Sequence, residues 1–309
     1  MYFRCVFLLL AVAVARSAFP QNIRRITHRD GLSNSSILSL AQDADGYIWA
    51  GSCDGLNLWD GNSARNFRFS GNLIQEIVAT DDGYLWVRTN YGVDRFDTRD
   101  RRIEMLAGFQ RVYKFAARSR DEAFFLHGNK LYGYVASKGA FEPVDVRGAE
   151  LTGVLRMCLD GDGALWLVRS GDIRCAQVAY DADGRASVGE WERMTMPDGV
   201  VFTRYDGDRT IFFTDRNGML FRFDTEQRRA FPIFDLREEL GRRGALSSVI
   251  SDKDDYVLAF GMSGVLRLRS TDPIEGRYEL QEIDVNCGVF ALLKDCNQDI
   301  VWIGTDGSG

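Results

Sequence analysis

The sequence predicts an all-β fold, a β-propeller of about seven four-stranded blades with the last blade incomplete. Three observations carry this. A large apolar residue, usually aromatic, recurs behind a polar turn at Trp49, Trp86, Phe125, Trp166, Phe212, Leu258 and Trp302, at intervals of 37 to 46 residues. Each copy holds the same order of short β-rich runs separated by turns rich in Gly, Asp and Asn. No window sustains a 3.6-residue apolar period, and 31 Gly among 309 residues would interrupt the helices of a helical repeat of similar length.

In chain order, residues 1–18 read as a cleaved secretory signal peptide. A basic start at Arg4 precedes a ten-residue apolar stretch, 5–14, and Ala13-Val14-Ala15 offers the small residues of a cleavage site. That stretch is too short to span a bilayer, which takes about 20 apolar residues, and every later apolar run is broken by charge. Residues 19–309 form the propeller, with blades at roughly 33–69, 73–106, 111–144, 153–194, 200–233, 246–283 and a partial one at 288–309. In the first, runs at 37–42, 47–51, 55–59 and 66–69 make an antiparallel meander; in the second, 74–80, 84–89, 92–96 and 103–106 repeat it. The seventh copy stops after two runs, and 23–27 is expected to supply one of its missing outer strands, as in an N-terminal fragment of a longer protein.

The recurrent Trp reads as packing between neighbouring sheets, where a large ring fills the widening wedge. The Asp-Gly before it reads as a turn in which Gly takes a positive φ. No run spaces oxygen ligands as a calcium loop does, so no metal and no cofactor is expected. Beyond Cys5, the cysteines at 53, 158, 175, 287 and 296 form no CxxC pair and read as free thiols, with one disulfide left open. A formal charge of -6 without a basic block speaks against nucleic acid and against anionic lipid. Only His28 and His127 are present, so neither a His-rich metal centre nor a His-dependent nucleophile is expected, and the chain does not read as an enzyme.

Asp30-Gly31-Leu32-Ser33, then Asp45-Gly46-Tyr47-Ile48-Trp49-Ala50-Gly51 and Asp54-Gly55-Leu56-Asn57-Leu58-Trp59-Asp60-Gly61, resemble the two-component regulator propeller repeat, and Val301-Trp302-Ile303-Gly304-Thr305-Asp306-Gly307 resembles it again. The match is specific in repeats one, two and seven and degenerate in three to six. The resemblance implies the periplasmic sensor region of a hybrid two-component histidine kinase, many of which respond to oligosaccharides. No kinase motif, membrane span or helix-turn-helix accompanies it here, so those activities are not carried over.

A ligand site follows from propeller geometry alone. The turns between second and third strands and the segments entering each first strand share one face, which would carry Asn34, Ser52, Asp54, Asn90, Tyr91, His127, Asn129, Arg169, Asp215 and Arg216. Amide, carboxylate, guanidinium and aromatic groups suit sugar hydroxyls and ring faces. The expected function is periplasmic sensing of an oligosaccharide or other small ligand, with downstream sensor modules or a second copy as partners. A scaffold for protein interaction, or less readily a secreted lyase or glycosidase, are the alternatives.

Overall fold

The structure, a computed structural model, describes residues 23–107, 109, 112–196, 199–207, 209–262 and 264–308; the signal peptide expected at 1–18 lies outside them. Six sheets of four or more strands follow one another along the chain, and a two-stranded sheet closes the series. Blade 1 is Ile37–Gln42, Ile48–Ser52, Gly55–Trp59 and Ala64–Phe67, paired in sequence order. Its outer strand begins two residues earlier than the sequence suggested, because Asp60 closes the preceding turn tightly by accepting the N–H groups of Asn62 and Ser63. Blade 2 runs from Ile74–Ala79 to Arg102–Ala107, blade 3 from Lys114–Ser119 to Ala140–Pro143, blade 5 from Phe202–Tyr205 to Arg229–Asp235, and blade 6 from Leu246–Asp252 to Arg277–Ile283. Blade 4 departs from this plan. Its third strand, Asp172–Tyr180, overshoots and carries an extra hairpin partner, Ala186–Val188, before Glu192–Thr195 completes the sheet. One seven-residue helix, Arg237–Arg243, bridges blades 5 and 6. The last sheet pairs Val289–Lys294 with Val301–Thr305.

Each seam between sheets is an apolar cluster. Trp49 meets Phe96 of blade 2 edge-on at 5.2 Å, and Trp86 meets Tyr134 and Phe141 of blade 3 at 5.2 and 5.8 Å. The glycine two residues after the tryptophan is part of the same seam. A Cβ on Gly51 would lie 2.5 Å from Ile74 Cγ2, and one on Gly304 would lie 2.9 Å from Ile37 Cγ2. The last sheet therefore packs on blade 1 as blade 1 packs on blade 2, and Val289 and Leu292 pack on its other side against Val257 and Val265 of blade 6. Ser36 donating to Asp306 and Gln42 donating to Asp295, both at 3.1 Å, tie the two ends of that closing seam.

Two expectations are corrected. All seven anchor residues lie on second strands, but Phe125 and Leu258 face the preceding blade, whereas Trp49, Trp86, Trp166 and Phe212 face the following one. The residues in the tryptophan's role in blades 3 and 6 are Phe124 and Val257, since one step along a strand reverses the face. The segment 23–27 makes no strand. Thr27 and Asp30 cap each other around the short 3-10 turn His28–Asp30, and this turn folds the segment over blade 1. There Ile26 packs on the Leu32, Ile37 and Ala50 cluster, and the Arg24 guanidinium lies 5.5 Å from the Trp59 ring centre.

Candidate functional site

The motif itself explains the turn face opposite the expected site. Asp43 Oδ1 accepts the N–H groups of Asp45 and Tyr47, while its Oδ2 accepts the Trp49 indole N–H at 2.6 Å. Asp160 does the same for its own turn and for Trp166 at 2.7 Å, and Asp295 for Trp302 at 2.9 Å. One carboxylate thus closes the hairpin and anchors the ring, with Gly46 and Gly163 at φ +88° and +81° completing the turn. In blade 2 Thr80 stands at that position, and the Trp86 indole donates across the seam to the Ser119 carbonyl at 2.8 Å.

On the other face, the residues expected to bind ligand are mostly occupied locally. Asn34 accepts the Ser36 N–H at 2.7 Å and shapes the entry to blade 1. Ser52 is buried, bonded to Ser33 and to the Gly55 carbonyl, and it accepts the Asp54 N–H; Asn129 is exposed. Asn90 accepts the Leu73 N–H at 3.2 Å, and Tyr91 beside it stands half exposed. His127 packs on Phe109 with its Nδ1 buried and unpaired among the described residues. Arg169 is held between Glu150 and Asp172. Asp215 accepts the N–H groups of Asn217 and Met219 in its own turn, and Arg216 is exposed. Asn34, Ser52 and Asp54 belong to blade 1, Asn90 and Tyr91 to blade 2, His127 and Asn129 to blade 3, Arg169 to blade 4, and Asp215 and Arg216 to blade 5, and among the described residues no hydrogen bond or ion pair joins those of different blades into one constellation. Among those residues no group of three His, Cys, Asp or Glu could hold a metal ion.

The structure instead gathers charge around the axis, where the first strands of neighbouring blades meet. Near the start of the first strand in blades 1, 2, 4, 6 and the last sheet, a register shift leaves one residue out of the ladder. A bulge of this kind re-aims a side chain. Three of these residues, Leu38, Gln75 and Phe290, join Leu73, Arg88, Tyr113 and Lys114 around a cavity of about 510 Å³ at the channel mouth. Behind it, Arg88 donates to Glu76 at 3.0 Å and to the Val112 carbonyl at 3.1 Å. Arg156 reaches the same Glu76 only at 3.4 Å, and the Thr203 carbonyl at 3.4 Å. The Nε atoms of Arg156 and Arg204 and the Thr203 hydroxyl are buried with no partner among the described residues. Burial, with the field of Arg156, pulls the Arg204 guanidinium down to about 10. Burial lowers Lys114 as well, reinforced by Arg156 and Arg88 and opposed by Glu76. Two carboxylates, Glu76 and Asp206, bear on four cations from four blades. These residues escaped the sequence reading because each sits inside a β-rich run; the legible trace is a charge interrupting an otherwise apolar strand.

The contrast with the larger cleft, about 890 Å³ between blades 4 and 5, is one of pairing. There Arg228 is matched by Glu192 and Arg209 by Glu226.

Comparison with known proteins fixes what the repeat is. The family model for the two component regulator propeller matches residues 31–54, from the Gly31 turn through the Trp49 strand to Asp54. Those residues are similar to a two component regulator propeller repeat. Histidine kinase P4 of Formosa agariphila is 37% identical over 62 residues, 20% of this chain and 4% of that protein. Two extracellular domains from B. thetaiotaomicron, each described as part of a hybrid two-component system, share the fold. One has a TM-score of 0.65 at 20% identity, covering 90% of this chain and 38% of that one. The other has a TM-score of 0.62 at 16% identity, covering 93% and 41%. The chain thus spans about two fifths of these domains. Among the described residues no helix is long and apolar enough to cross a membrane.

Proposed function

We propose that this protein is the ligand-sensing propeller of an exported two-component receptor, acting by binding an oligosaccharide or other small ligand rather than by catalysis. The observation that carries the reading is the regulator propeller repeat at 31–54, set in a fold shared over nine tenths of the chain with extracellular domains of two-component systems. In this reading residues 1–18 direct export to the periplasm, and the pair Val289–Lys294 and Val301–Thr305 is the inner half of a seventh blade. Its outer edge and the loop face are where a further sensor module or a second copy would dock. The ligand enters at the channel mouth, where Tyr113 and Phe290 offer ring faces beside the polar groups.

Calorimetric titration of the purified chain with neutral and acidic oligosaccharides from plant and host glycans tests the reading, with Tyr91→Ala and Arg169→Ala probing the loop face. Saturable binding of a panel member without its cleavage is the expected result. Depolymerisation of any glycan would replace the sensor by an enzyme, and absence of binding across the panel would remove the saccharide.

A further inference from the structure

We propose that Lys114 is a site of reversible carboxylation by dissolved carbon dioxide, which converts its amine to a carbamate on the wall of the channel mouth. The inference goes beyond the sensing reading and does not depend on it. Lys114 opens the first strand of blade 3 and lines the cavity of about 510 Å³ beside Arg88, Tyr113 and Phe290. Among the described residues its side chain makes no hydrogen bond or ion pair. Lys138, in contrast, is matched by Glu142, and Lys253 and Lys294 by Asp299. Lys130 is unpaired as well, but it stands exposed, where water solvates its ammonium. The Nε atoms of Arg156 and Arg204 are sealed inside the protein, whereas the Lys114 amine is unpaired and still reachable from the cavity.

The charges that act on this amine come from the neighbouring blades, Glu76 and Arg88 from blade 2 and Arg156 from blade 4. Glu76 makes its close contact with Arg88, at 3.0 Å, so burial and the fields of Arg156 and Arg88 together disfavour the ammonium form of Lys114. A lysine desolvated beside other cations is poised as a neutral nucleophile. Carbon dioxide is small and uncharged, and it enters between the Tyr113 and Phe290 rings with no ionic group to desolvate. The neutral Nζ attacks its carbon. The N–C bond forms, one C=O electron pair moves onto oxygen, and one amine proton leaves to water, so that an anion stands where the ammonium stood. The surroundings favour that product. With the ammonium, Lys114, Arg88, Arg156 and Arg204 stand against Glu76 and Asp206; with the carbamate, Arg88, Arg156 and Arg204 stand against Glu76, Asp206 and the new carboxylate, and the cluster is balanced. An aldehyde captured as an iminium would keep positive charge among the arginines, so carbon dioxide is the electrophile the site selects. The wall then presents a cation or an anion to an entering ligand according to the carbon dioxide around it.

The experiment incubates the full chain with isotopically labelled bicarbonate, in equilibrium with carbon dioxide, at constant pH and ionic strength. Carbon NMR reads the carbamate, and O-alkylation with a trialkyloxonium salt followed by peptide mass spectrometry locates it. Label should appear at Lys114 and be lost when carbon dioxide is purged. Lys114→Met and Lys114→Arg should both abolish that signal, the second while keeping a cation in place, and Lys130→Arg should leave it unchanged. Arg156→Gln should weaken the apparent affinity for carbon dioxide about tenfold, because its field no longer favours the neutral amine and the carbamate. Bicarbonate in place of chloride should raise the thermal midpoint of the wild-type protein and leave that of Lys114→Arg where it was, since only a carbamate balances the cluster. Label at Lys114 no greater than at exposed Lys130, a signal that survives both Lys114 substitutions, or a wild-type midpoint equal in the two salts overturns the proposal. None of these readings involves a saccharide, so their failure leaves the sensing reading standing, and failure of the glycan titration leaves the carbamate standing.

Discussion

Removing the tryptophan indole should cost more at one copy of the motif than at another. Trp86 is 0% exposed, enclosed by Phe115, Tyr134 and Phe141 with ring centres 5.2 to 6.1 Å away, and its N–H is satisfied by the Ser119 carbonyl at 2.8 Å. A fully buried ring of this size removes about 200 Å² from water, which at about 25 cal/mol per Å² is about 5 kcal/mol. Alanine recovers part of that area and leaves a cavity, so Trp86→Ala should cost about 3–5 kcal/mol. Trp302 occupies the same strand position in the last sheet, which has two strands among the described residues, and it is only partly buried. Trp302→Ala should cost less by the same area argument, because part of its ring stays in water in the native fold. Urea denaturation followed by tryptophan fluorescence and circular dichroism reads both, and an unchanged m-value licenses the comparison. A loss at Trp302 equal to or larger than that at Trp86 would refute the account of Trp302 as the less covered of the two. A loss below about 1 kcal/mol at Trp86 would refute the seam packing itself.

Three further outcomes follow from particular contacts. Asp94 is buried and bonded to Ser70, as Asn57 is to Ser33 in blade 1, but burial raises its pKa despite those bonds. A raised folded pKa penalises the fold above that pKa and releases the penalty as pH falls through it. Asp94→Asn should therefore raise stability at neutral pH by about 0.5–1.5 kcal/mol and erase that part of the acid-side pH dependence, checked by melts from about pH 3 to 7. Asp43→Ala removes three hydrogen bonds from one carboxylate and should cost about 2–3 kcal/mol, more than Thr80→Ala at the corresponding turn, measured by the same denaturation. Exposed Cys53 and Cys296 should react quickly with a thiol reagent, while Cys158, whose thiol burial pushes far up, should stay unmodified until the protein is unfolded.

Most of the strand order was legible before any coordinates, because a turn-forming Asp/Gly/Asn cluster every few residues and a repeat near 42 residues admit few other folds. The errors have a common origin. Phe124 and Phe125 are both large and apolar, and so are Val257 and Leu258, so composition does not say which of each pair faces the next blade; the ladder register does. Segment 23–27 has the apolar and basic residues of a strand, yet the Thr27 and Asp30 cap a few residues on turns it away from the edge. The Asp43 and Trp49 bond could have been found from the six-residue spacing that recurs at Asp160 and Trp166.

The sequence by itself determined that the chain is a series of short antiparallel sheets with a segment matching the regulator propeller repeat, because periodicity and turn chemistry are local properties written in each repeat. It could not determine the site. Glu76, Arg88, Lys114, Arg156 and Arg204 come from blades 2 to 5, spread over more than a hundred residues, and each is unremarked in its own strand. Only closure of the ring brings their first strands around one axis. Only the packed interior then decides that Glu76 is shared between Arg88 and Arg156, that the Nε atoms of Arg156 and Arg204 are buried without a partner among the described residues, and that Arg88 and Lys114 line an open cavity. Charge balance between distant residues is a property of distance in a low-dielectric interior, and distance is what tertiary structure supplies.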